Sequence, residues 1–296
     1  MAAGSIVRLA CLALLWGSNF LWIKIAVRGV SPVQLTLVRL ALGAAVLLVV
    51  LQARRLRLPH DWMTWLHLSI AALVANALPY WLFAVGEQHV TSSLAGALNA
   101  TTPLWALGVA LALRAEHRVV WTRLVGLLLG FLGTLVILAP WQEGTAGSMV
   151  GALACLAAAA SYGLSYAYQG RYLTGRGRSP VVLSAGQLAA ATALLAVVTP
   201  IVGRQSVTLT PAVASAIVIL GVLGTGAAYV LNYRLIADEG ATAASTVTYL
   251  LPVVSVALGV AVLGEPATWH LLVGTVIVLA GIALVQQRRS RALSRL

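Results

Sequence analysis

The chain has 296 residues, of which 60% are hydrophobic and 9% are charged, and its formal net charge is +12. An average soluble domain has roughly 25% charged residues, so this composition excludes an ordinary soluble protein and indicates a chain that lies in a lipid bilayer. The predicted fold class is therefore an all-α polytopic membrane protein.

Ten apolar stretches follow one another along the chain, each near the roughly 20 residues that a helix needs to cross the hydrocarbon core. The predicted spans cover residues 5–27, 32–53, 62–86, 91–113, 119–139, 148–169, 180–201, 212–235, 241–263 and 268–287. The first is predicted to remain as a helix and not to be a cleaved leader, because its apolar run continues past Cys11.

Basic residues lie mostly at one end of these spans. With ten spans, 15 of the 19 Lys and Arg fall on the side of the N-terminus, two fall on the opposite side, and Lys24 and Arg39 lie within spans. This bias predicts that both termini are cytoplasmic. The charge thus orients the protein, with lipid headgroups as partners, and a nucleic-acid partner is not expected.

The two halves of the chain repeat each other at an offset of 148 or 149 positions. SPVQLTLVRLALGA at 31–44 is echoed by SPVVLSAGQLAAAT at 179–192. Further matched pairs are Tyr80 with Tyr229, Pro103 with Pro252, Glu116 with Glu265, Gly126 with Gly274 and Gly133 with Gly281. Each copy holds five spans, and an odd number of spans turns the second copy upside down.

This arrangement predicts two inverted five-helix repeats, residues 1–140 and 148–287, followed by a basic cytoplasmic tail at 288–296. Two similar units that face opposite ways can expose a shared central site first to one side of the membrane and then to the other. Inverted repeats therefore favour a transporter, although a duplicated structural scaffold would have the same pattern.

Polar and aromatic side chains within the spans are the candidates for a substrate site. They are Trp16, Asn19, Arg39, Tyr80, Trp81, Asn99, Trp105, Tyr162, Tyr166, Gln187, Asn232, Thr248 and Tyr249. Tyr162 and Tyr166 are four residues apart, which places them on one helix face. Packing against a neighbouring helix is the alternative for each deep aromatic ring.

Arg39 is the most unusual of these residues, because a central arginine costs about 2.5–3.5 kcal/mol on insertion scales. It either reaches the outer surface or helix carbonyls, or it faces a cavity where it attracts a substrate carboxylate. Its counterpart in the second copy, Gln187, is neutral. Lys24 lies near the outer end of the first span, where its side chain is expected to extend to water.

Helix breakers and small residues organise the remaining spans. Pro103 and Pro252 lie at matched mid-span positions and are expected to kink their helices, and matched interruptions are typical of transporter binding sites. The motif GLLLG at 126–130 predicts close helix packing. A homodimer seam on this face is the alternative to the monomer that we expect.

Catalytic chemistry has little support. All seven acidic residues fall in loops or at span ends, and HExxH is absent from the sequence, so we expect no enzyme activity, no catalytic residue, no metal and no cofactor. Since no carboxylate is expected at depth, facilitated diffusion or exchange fits as well as proton antiport.

Several motifs resemble the drug/metabolite transporter superfamily, in particular its ten-helix EamA-type group. They are WGSNFLWIK, SPVQLTLVRLALGA, ALNATTPLWALGVALALRAE, and TYLLPVVSVALGVAVLGE followed by GTVIVLAGIALV. The first copy departs from the pattern, since it has RAE where LGE is usual. The resemblance implies a multi-pass protein of the bacterial inner membrane that exports small metabolites, often amino acids.

Within that group, the pattern is most similar to the YddG-like aromatic amino-acid exporters. Deep tryptophan and tyrosine rings would suit an aromatic substrate, and Arg39 or Lys24 would suit its carboxylate. The predicted site lies between the repeats, lined by the first, third, fourth, sixth, eighth and ninth helices. A drug or sugar-phosphate carrier is the alternative cargo class, and a membrane enzyme or receptor is the alternative from a different class.

Overall fold

The structure, a computed structural model, describes residues 3–112, 121–138, 146–173, 177–239, 247 and 250–293. This part of the chain is helical and contains no strand. The helices are α1 Ala3–Gly17, α2 Asn19–Ala26, α3 Pro32–Ala53, α4 Trp62–Ala72, α5 Leu78–His89, α6 Ser92–Asn99, α7 Thr102–Ala112, α8 Trp121–Leu138, α9 Ala146–Tyr172, α10 Pro180–Val202, α11 Pro211–Val218, α12 Ala228–Glu239, α13 Leu251–Leu263 and α14 Trp269–Leu293. Two π-helical segments, Leu73–Ala77 and Ile219–Ala227, join α4 to α5 and α11 to α12.

Six helical stretches in the described residues are long and apolar enough to cross a membrane. They are Gly4–Ala26, Pro32–Ala53, Trp62–His89, Met149–Tyr172, Pro180–Val202 and Pro211–Asn232. Shorter apolar helices cover Leu128–Ile137, Leu251–Leu263 and Trp269–Gly281. Each of these stretches falls on a predicted span, and the count of ten spans stays a prediction.

Helix starts follow the local sequence. Ser31 accepts a hydrogen bond from the backbone N–H of Gln34, the Gln34 side chain accepts one from the Ser31 N–H, and Pro32 opens α3. This reciprocal cap satisfies N–H groups that a helix start leaves free. Asp61, Thr91 and Thr210 cap α4, α6 and α11 in the same way through one side-chain oxygen.

The two matched prolines lie in the first turn of a helix. α6 ends at Asn99, and Pro103 is the second residue of α7. Pro252 is the second residue of α13. Proline has no N–H to donate, which costs nothing in the first turn of a helix, so both prolines suit these positions. At Pro103 the chain passes from α6 to α7, and the kink at Pro252 stays a prediction because residues before α13 lie outside the described residues.

The two π-helical segments lie at matched positions of the two copies, since Leu73–Ala77 shifted by 149 falls within Ile219–Ala227. π-Helical geometry disturbs the regular hydrogen bonds and is often found at functional sites. Side chains bond the carbonyls here: the Ser161 hydroxyl donates to the Val74 oxygen at 2.7 Å and the Thr225 hydroxyl donates to the Leu220 oxygen at 2.9 Å.

Equivalent helices of the two copies pack side by side and antiparallel. A β-carbon added at Gly133 would lie 2.9 Å from the Gly274 oxygen, and one added at Gly281 would lie 2.6 Å from the Gly126 oxygen. The contact therefore moves down α14 as it moves up α8. The predicted close packing of the glycine face is thus a contact between two helices of the same chain.

The helices α3 and α10 follow the same arrangement. The Gln34 side-chain amide, in the first turn of α3, donates to the oxygens of Gly203 and Gln205, just beyond the end of α10, at 2.7 and 3.0 Å. The hydrophobic core fills the space between these pairs and includes Leu40, Leu47 and Leu188, which are fully buried. A polar cluster lies beside this core.

Candidate functional site

Arg39 projects from α3 into the interior, where it is 5% exposed. Its Nε donates to the Thr225 hydroxyl at 3.0 Å, and its guanidinium carbon lies 3.9 Å from the centre of the Tyr80 ring. Asn19, with its amide oriented to suit both neighbours, accepts from Arg39 Nη2 at 3.0 Å and donates to the Leu15 oxygen at 3.2 Å. Arg39 therefore does not reach the outer surface, because neutral groups from three different spans hold it inside.

Gln187, the counterpart of Arg39, is equally buried at 4% exposure. Its amide nitrogen donates to the Asn76 side-chain oxygen, and the Asn76 nitrogen donates to the Tyr229 hydroxyl at 3.1 Å. The Tyr229 ring meets Trp16 edge to face with 6.5 Å between ring centres. A second group of polar and aromatic side chains thus mirrors the group around Arg39.

The two hydrogen-bonded groups, one around Arg39 and one around Gln187, each contain residues from both copies. Asn76 and Thr225 are 149 positions apart and lie in the two π-helical segments. Arg39 of the first copy bonds Thr225 of the second, and Gln187 of the second bonds Asn76 of the first. The cluster is therefore built from both copies, and the one charged member makes it asymmetric.

Sequence reasoning had not selected Asn76 and Thr225. The sequence did contain a signal for them. In NALPY at 76–80 and TGAAY at 225–229, a polar residue lies four positions before each of the two matched tyrosines. Asn76 and Thr225 are each 0% exposed. Burial of two polar side chains at equivalent positions is what identifies them, because buried polar groups persist where they are hydrogen-bonded.

Aromatic rings extend the cluster along α5 and α9. Phe83, one turn beyond Tyr80, contacts Phe20 at 5.4 Å and Tyr162 at 6.1 Å between ring centres. Tyr162 and Tyr166 lie within electrostatic range of Tyr80. Tyr162 is half-buried, whereas Tyr166 is 63% exposed. Stacked and edge-to-face rings of this kind form an apolar wall beside the guanidinium.

The other predicted site residues are spread more widely. Trp81 and Trp105 are 39% and 42% exposed, and neither has a ring contact with the cluster in the described residues. Asn99 is buried at the break between α6 and α7, where its carbonyl accepts from Thr102 at 2.8 Å. Asn232 is half-buried on α12. Thr248 and Tyr249 lie outside the described residues.

Lys24 is not extended towards water as the sequence suggested. Its ammonium group donates to the backbone oxygens of Glu87 and Val90, both at 2.6 Å. These carbonyls lie at the C-terminal end of α5, where a helix dipole attracts a cation. Lys24 therefore belongs to the end of α5, and Arg39 is the cation of the central cluster.

The pair GE in LGE at 263–265 ends α13 and caps α6. Gly264 ends α13 with a φ of 65°, which favours glycine. Glu265 then accepts hydrogen bonds from the backbone N–H and the hydroxyl of both Ser92 and Ser93, at 2.6 to 3.1 Å. An acidic side chain on the N-terminus of α6 is favourable for the helix dipole. Glu116, its counterpart, lies outside the described residues.

Polar contacts join α4 to α9 and to the residues just before α10. Asp61 forms an ion pair with Arg178, and His67 Nδ1 lies 2.8 Å from the Tyr168 hydroxyl. Hydrogen bonds from Thr64 and the nearby Arg178 lower the pKa of Asp61 to about 2.

Two cavities are lined by residues outside the polar cluster. One of about 600 Å³ is an apolar groove between α4 and α10, and one of about 410 Å³ lies at the end of α5 beside Lys24 and Glu87. No group of three or more His, Cys, Asp or Glu that could hold a metal lies among the described residues.

Comparison with known proteins identifies the family pattern. A sequence model described as the EamA-like transporter family matches residues 4–139 and 149–286. The uncharacterized transporter YdfC of Bacillus subtilis is 27% identical over 90% of this chain and 86% of its own. An uncharacterized transporter of Archaeoglobus fulgidus is 25% identical over 95% and 98%, respectively.

A third relative, the uncharacterized inner membrane transporter YedA of Escherichia coli, is 27% identical over 87% of this chain and 82% of its own. Among solved structures, one crystal structure of a protein superposes with a TM-score of 0.67 over 99% of each chain at 22% identity. This last likeness shows the fold alone.

Proposed function

The chain belongs to the EamA-like transporter family, and from that premise we propose that it exports amino acids with aromatic or other apolar side chains, and related small metabolites, across the bacterial inner membrane. The relatives are named as transporters, which supports a multi-pass membrane transporter and gives no support to an enzyme. The cargo and the direction of transport are our proposal.

The proposed topology has ten membrane helices in two inverted repeats, residues 1–140 and 148–287, with both termini in the cytoplasm. Antiparallel packing of α8 on α14 and of α3 on α10 supports the inversion, because equivalent helices of inverted copies run in opposite directions. The exchanged partners of Arg39 and Gln187 support a central site shared by the two repeats.

The cation at Arg39 carries the proposal for the cargo. Among the described residues, no carboxylate lies within ion-pair distance of it, and its hydrogen bonds to Thr225 and Asn19 use two of its five N–H donors. A buried cation without a counter-ion is costly. A substrate carboxylate that binds the remaining N–H groups would neutralise it with charge-assisted hydrogen bonds.

The rings beside Arg39 supply the rest of the recognition. Tyr80 already stacks on the guanidinium, and Phe83 and Tyr162 continue the wall along α5 and α9. An amino acid whose carboxylate lies at Arg39 would place its side chain against these rings. Aromatic and other apolar side chains are favoured there because they bury apolar area on a dry surface.

Alternating access is the mechanism that fits a site shared by two inverted repeats. We assign the contacts of Asp61 and His67 to an inner gate and the contacts of Lys24 and Gln34 to an outer gate. In the proposed cycle, one set of contacts breaks while the other holds, so the substrate meets one side of the membrane at a time. Neither a metal nor a cofactor takes part in this cycle.

The test is exchange of labelled tryptophan in proteoliposomes that contain the purified protein. We expect Arg39→Gln to raise the apparent KM for tryptophan by roughly 10- to 100-fold, since a hydrogen bond to a charged group contributes about 1.5–3 kcal/mol. Tryptamine lacks the carboxylate, so the tryptamine concentration that inhibits exchange by half should change little in this variant. The variant should therefore lose most of its preference for tryptophan over tryptamine.

Arg204→Gln is the matched control, because Arg204 is exposed and donates to the Pro200 carbonyl at the end of α10. It should exchange tryptophan with the KM of the unmodified protein. An unchanged KM in Arg39→Gln would remove Arg39 from the site. Uptake of a phosphorylated sugar without exchange of any amino acid would favour the sugar-phosphate carrier instead.

A further inference from the structure

Glu87 is a buried acid for which the transport cycle described above has no role. It lies on α5, two residues before the helix ends, and is 0% exposed. Neither of its carboxyl oxygens has a hydrogen-bond partner among the described residues. Sequence reasoning placed this acid in a loop or at a span end and did not foresee that its side chain is buried there.

Glu265 shows how a buried carboxylate is normally satisfied in this fold. It is 9% exposed and accepts four hydrogen bonds from Ser92 and Ser93. Glu87 lies in the same outer part of the molecule and accepts none. The difference is informative, because a buried polar group without partners costs about 1–3 kcal/mol, and more when it is charged.

The ammonium group nearest to Glu87 is held by other atoms. Lys24 donates to the backbone oxygens of Glu87 and Val90 and is not within ion-pair distance of the carboxyl group. On the other side, Cys155 of α9 packs against Gly86, since a β-carbon added there would lie 2.5 Å from the sulfur. The carboxyl group therefore faces packed, weakly polar atoms.

Several other titratable or charged groups surround this position. Those within electrostatic range are Lys24 on α2, Arg39 on α3, Cys155 on α9 and Glu265 after α13. At the end of α5 the exposed groups are His89 and Arg28, of which Arg28 also lines the cavity of about 410 Å³ beside Glu87. None of these groups bonds the carboxyl oxygens.

The cost of charge decides which form of Glu87 suits this closed arrangement. An ionised carboxylate in a dry site without hydrogen bonds is disfavoured by several kcal/mol, and such groups become neutral by binding a proton. When the helices around it separate, water and Lys24 can stabilise the ionised form. Closing and proton binding at Glu87 are therefore linked.

The position of Glu87 connects it to the central cluster. Tyr80, Phe83 and Glu87 follow one another at intervals of three and four residues and lie on the same buried face of α5. Tyr80 holds Arg39, and Glu87 lies next to the outer cavity that contains Lys24. Movement of α5 thus affects both the proposed substrate site and Glu87.

We propose that Glu87 is a proton-binding site that controls the outer end of the transporter. The inference rests on the proposed transport function, since it takes this end to be one of two gates. When the outer end closes, Glu87 takes a proton from water in the outer cavity and forms an O–H bond. When it opens, that bond breaks, the proton returns to water and the carboxylate remains beside the ammonium of Lys24.

Infrared spectroscopy of the purified protein tests the protonation directly. We expect the carbonyl band of a protonated carboxyl group near pH 7, absent in Glu87→Gln and retained in Glu265→Gln, whose carboxyl group accepts four hydrogen bonds. If the band is missing from the unmodified protein, or persists in Glu87→Gln, Glu87 is not the proton site.

Alkylation of Cys155 tests the link to the gate, in a Cys11→Ser background and without any substrate. The measured quantity is the alkylation rate of Cys155 in the protein that keeps Glu87, divided by the rate in Glu87→Gln. We expect this ratio to rise at least roughly tenfold from about pH 6 to about pH 9, because deprotonation of Glu87 opens the outer end. The negative charge of an ionised Glu87 would by itself lower the fraction of Cys155 that is present as the reactive thiolate, so this charge cannot cause the rise. A constant ratio would overturn the proposal.

Both measurements are independent of the cargo. If no amino acid is exchanged while the infrared band and the alkylation ratio behave as expected, the proposed substrate is wrong and the proton site stands. If tryptophan is exchanged while the ratio stays constant, transport stands and Glu87 has no part in the gate.

Discussion

Arg39 and Gln187 show how one residue difference changes a symmetric site. Both are buried, both lie on the second helix of their copy, and both reach a polar residue in the π-helical segment of the other copy. Only Arg39 has a charge. An amide satisfies its hydrogen bonds inside the protein, whereas a guanidinium also needs a counter-charge, which is why the proposed substrate carboxylate is assigned to this half.

Asp61 allows a prediction at the same scale for the inner end. Its pKa is lowered from 3.8 to about 2 by hydrogen bonds from Thr64 and by Arg178. A carboxyl group with a depressed pKa in the folded state stabilises the fold above the unfolded pKa, and this contribution disappears as the pH falls through the folded pKa. Asp61→Asn should therefore be less stable than the unmodified protein at pH 7.

The stability difference should shrink between about pH 4 and about pH 2, as Asp61 becomes protonated. Thermal unfolding in detergent across this range measures it. Arg204→Gln, at the opposite end of the molecule, is the control and should show no such dependence. A difference between Asp61→Asn and the unmodified protein that is independent of pH would mean that the charge of Asp61 does not matter.

At the scale of elements, the helices owe their contacts to small residues. Gly133 and Gly281 let the backbones of α8 and α14 approach, and Gly86 and Gly151 do the same for α5 and α9. Membrane helices have little hydrophobic drive to associate with each other, so close van der Waals packing has to hold them together. Loss of one such glycine should separate a helix pair.

Gly281→Ala tests this contact, because its β-carbon would lie 2.6 Å from the Gly126 oxygen and 2.8 Å from the Gly130 nitrogen. Backbone atoms cannot move aside easily, so we expect a loss of about 1–3 kcal/mol in stability.

Gly170→Ala on α9 is the matched control, with nothing within 4 Å of its added carbon. That change should raise stability by about 0.5–1 kcal/mol, because alanine is the better helix former. Equal effects in thermal unfolding would contradict the role of the glycine contact.

At the scale of the whole molecule, inversion of the repeats predicts that equivalent positions lie on opposite sides of the membrane. Arg55 and Arg204 are 149 positions apart and both are exposed just after the ends of α3 and α10. The proposed topology places Arg55 in the cytoplasm and Arg204 outside, in agreement with the distribution of basic residues.

Labelling of single cysteines in intact cells with a membrane-impermeant maleimide measures this placement. In a variant with Cys11 and Cys155 replaced by serine, Arg204→Cys should react at once. Arg55→Cys should react only after the cells are permeabilised. Reaction of both from outside would rule out the inverted arrangement and with it the shared central site.

The helical fold and the repeat spacing could be predicted from the sequence, because composition and hydrophobic length depend on residues close together in the chain. The starts of α3 and α10 at Pro32 and Pro180 were predicted for the same reason. The family was suggested by the resemblance of whole motifs. Local chemistry also marked Arg39 as costly. Whether it reached the surface or a cavity depended on residues far away in the chain.

Tertiary structure alone decided those partners. It brought Thr225 and Asn19 to Arg39, joined Asn76 to Gln187, and placed the carbonyl oxygens of α5 around Lys24. It also buried Glu87, which the chain places only two residues from a helix end. The physical reason is that the cost of a polar group depends on the water and hydrogen-bond partners around it, and those are set by how the helices pack.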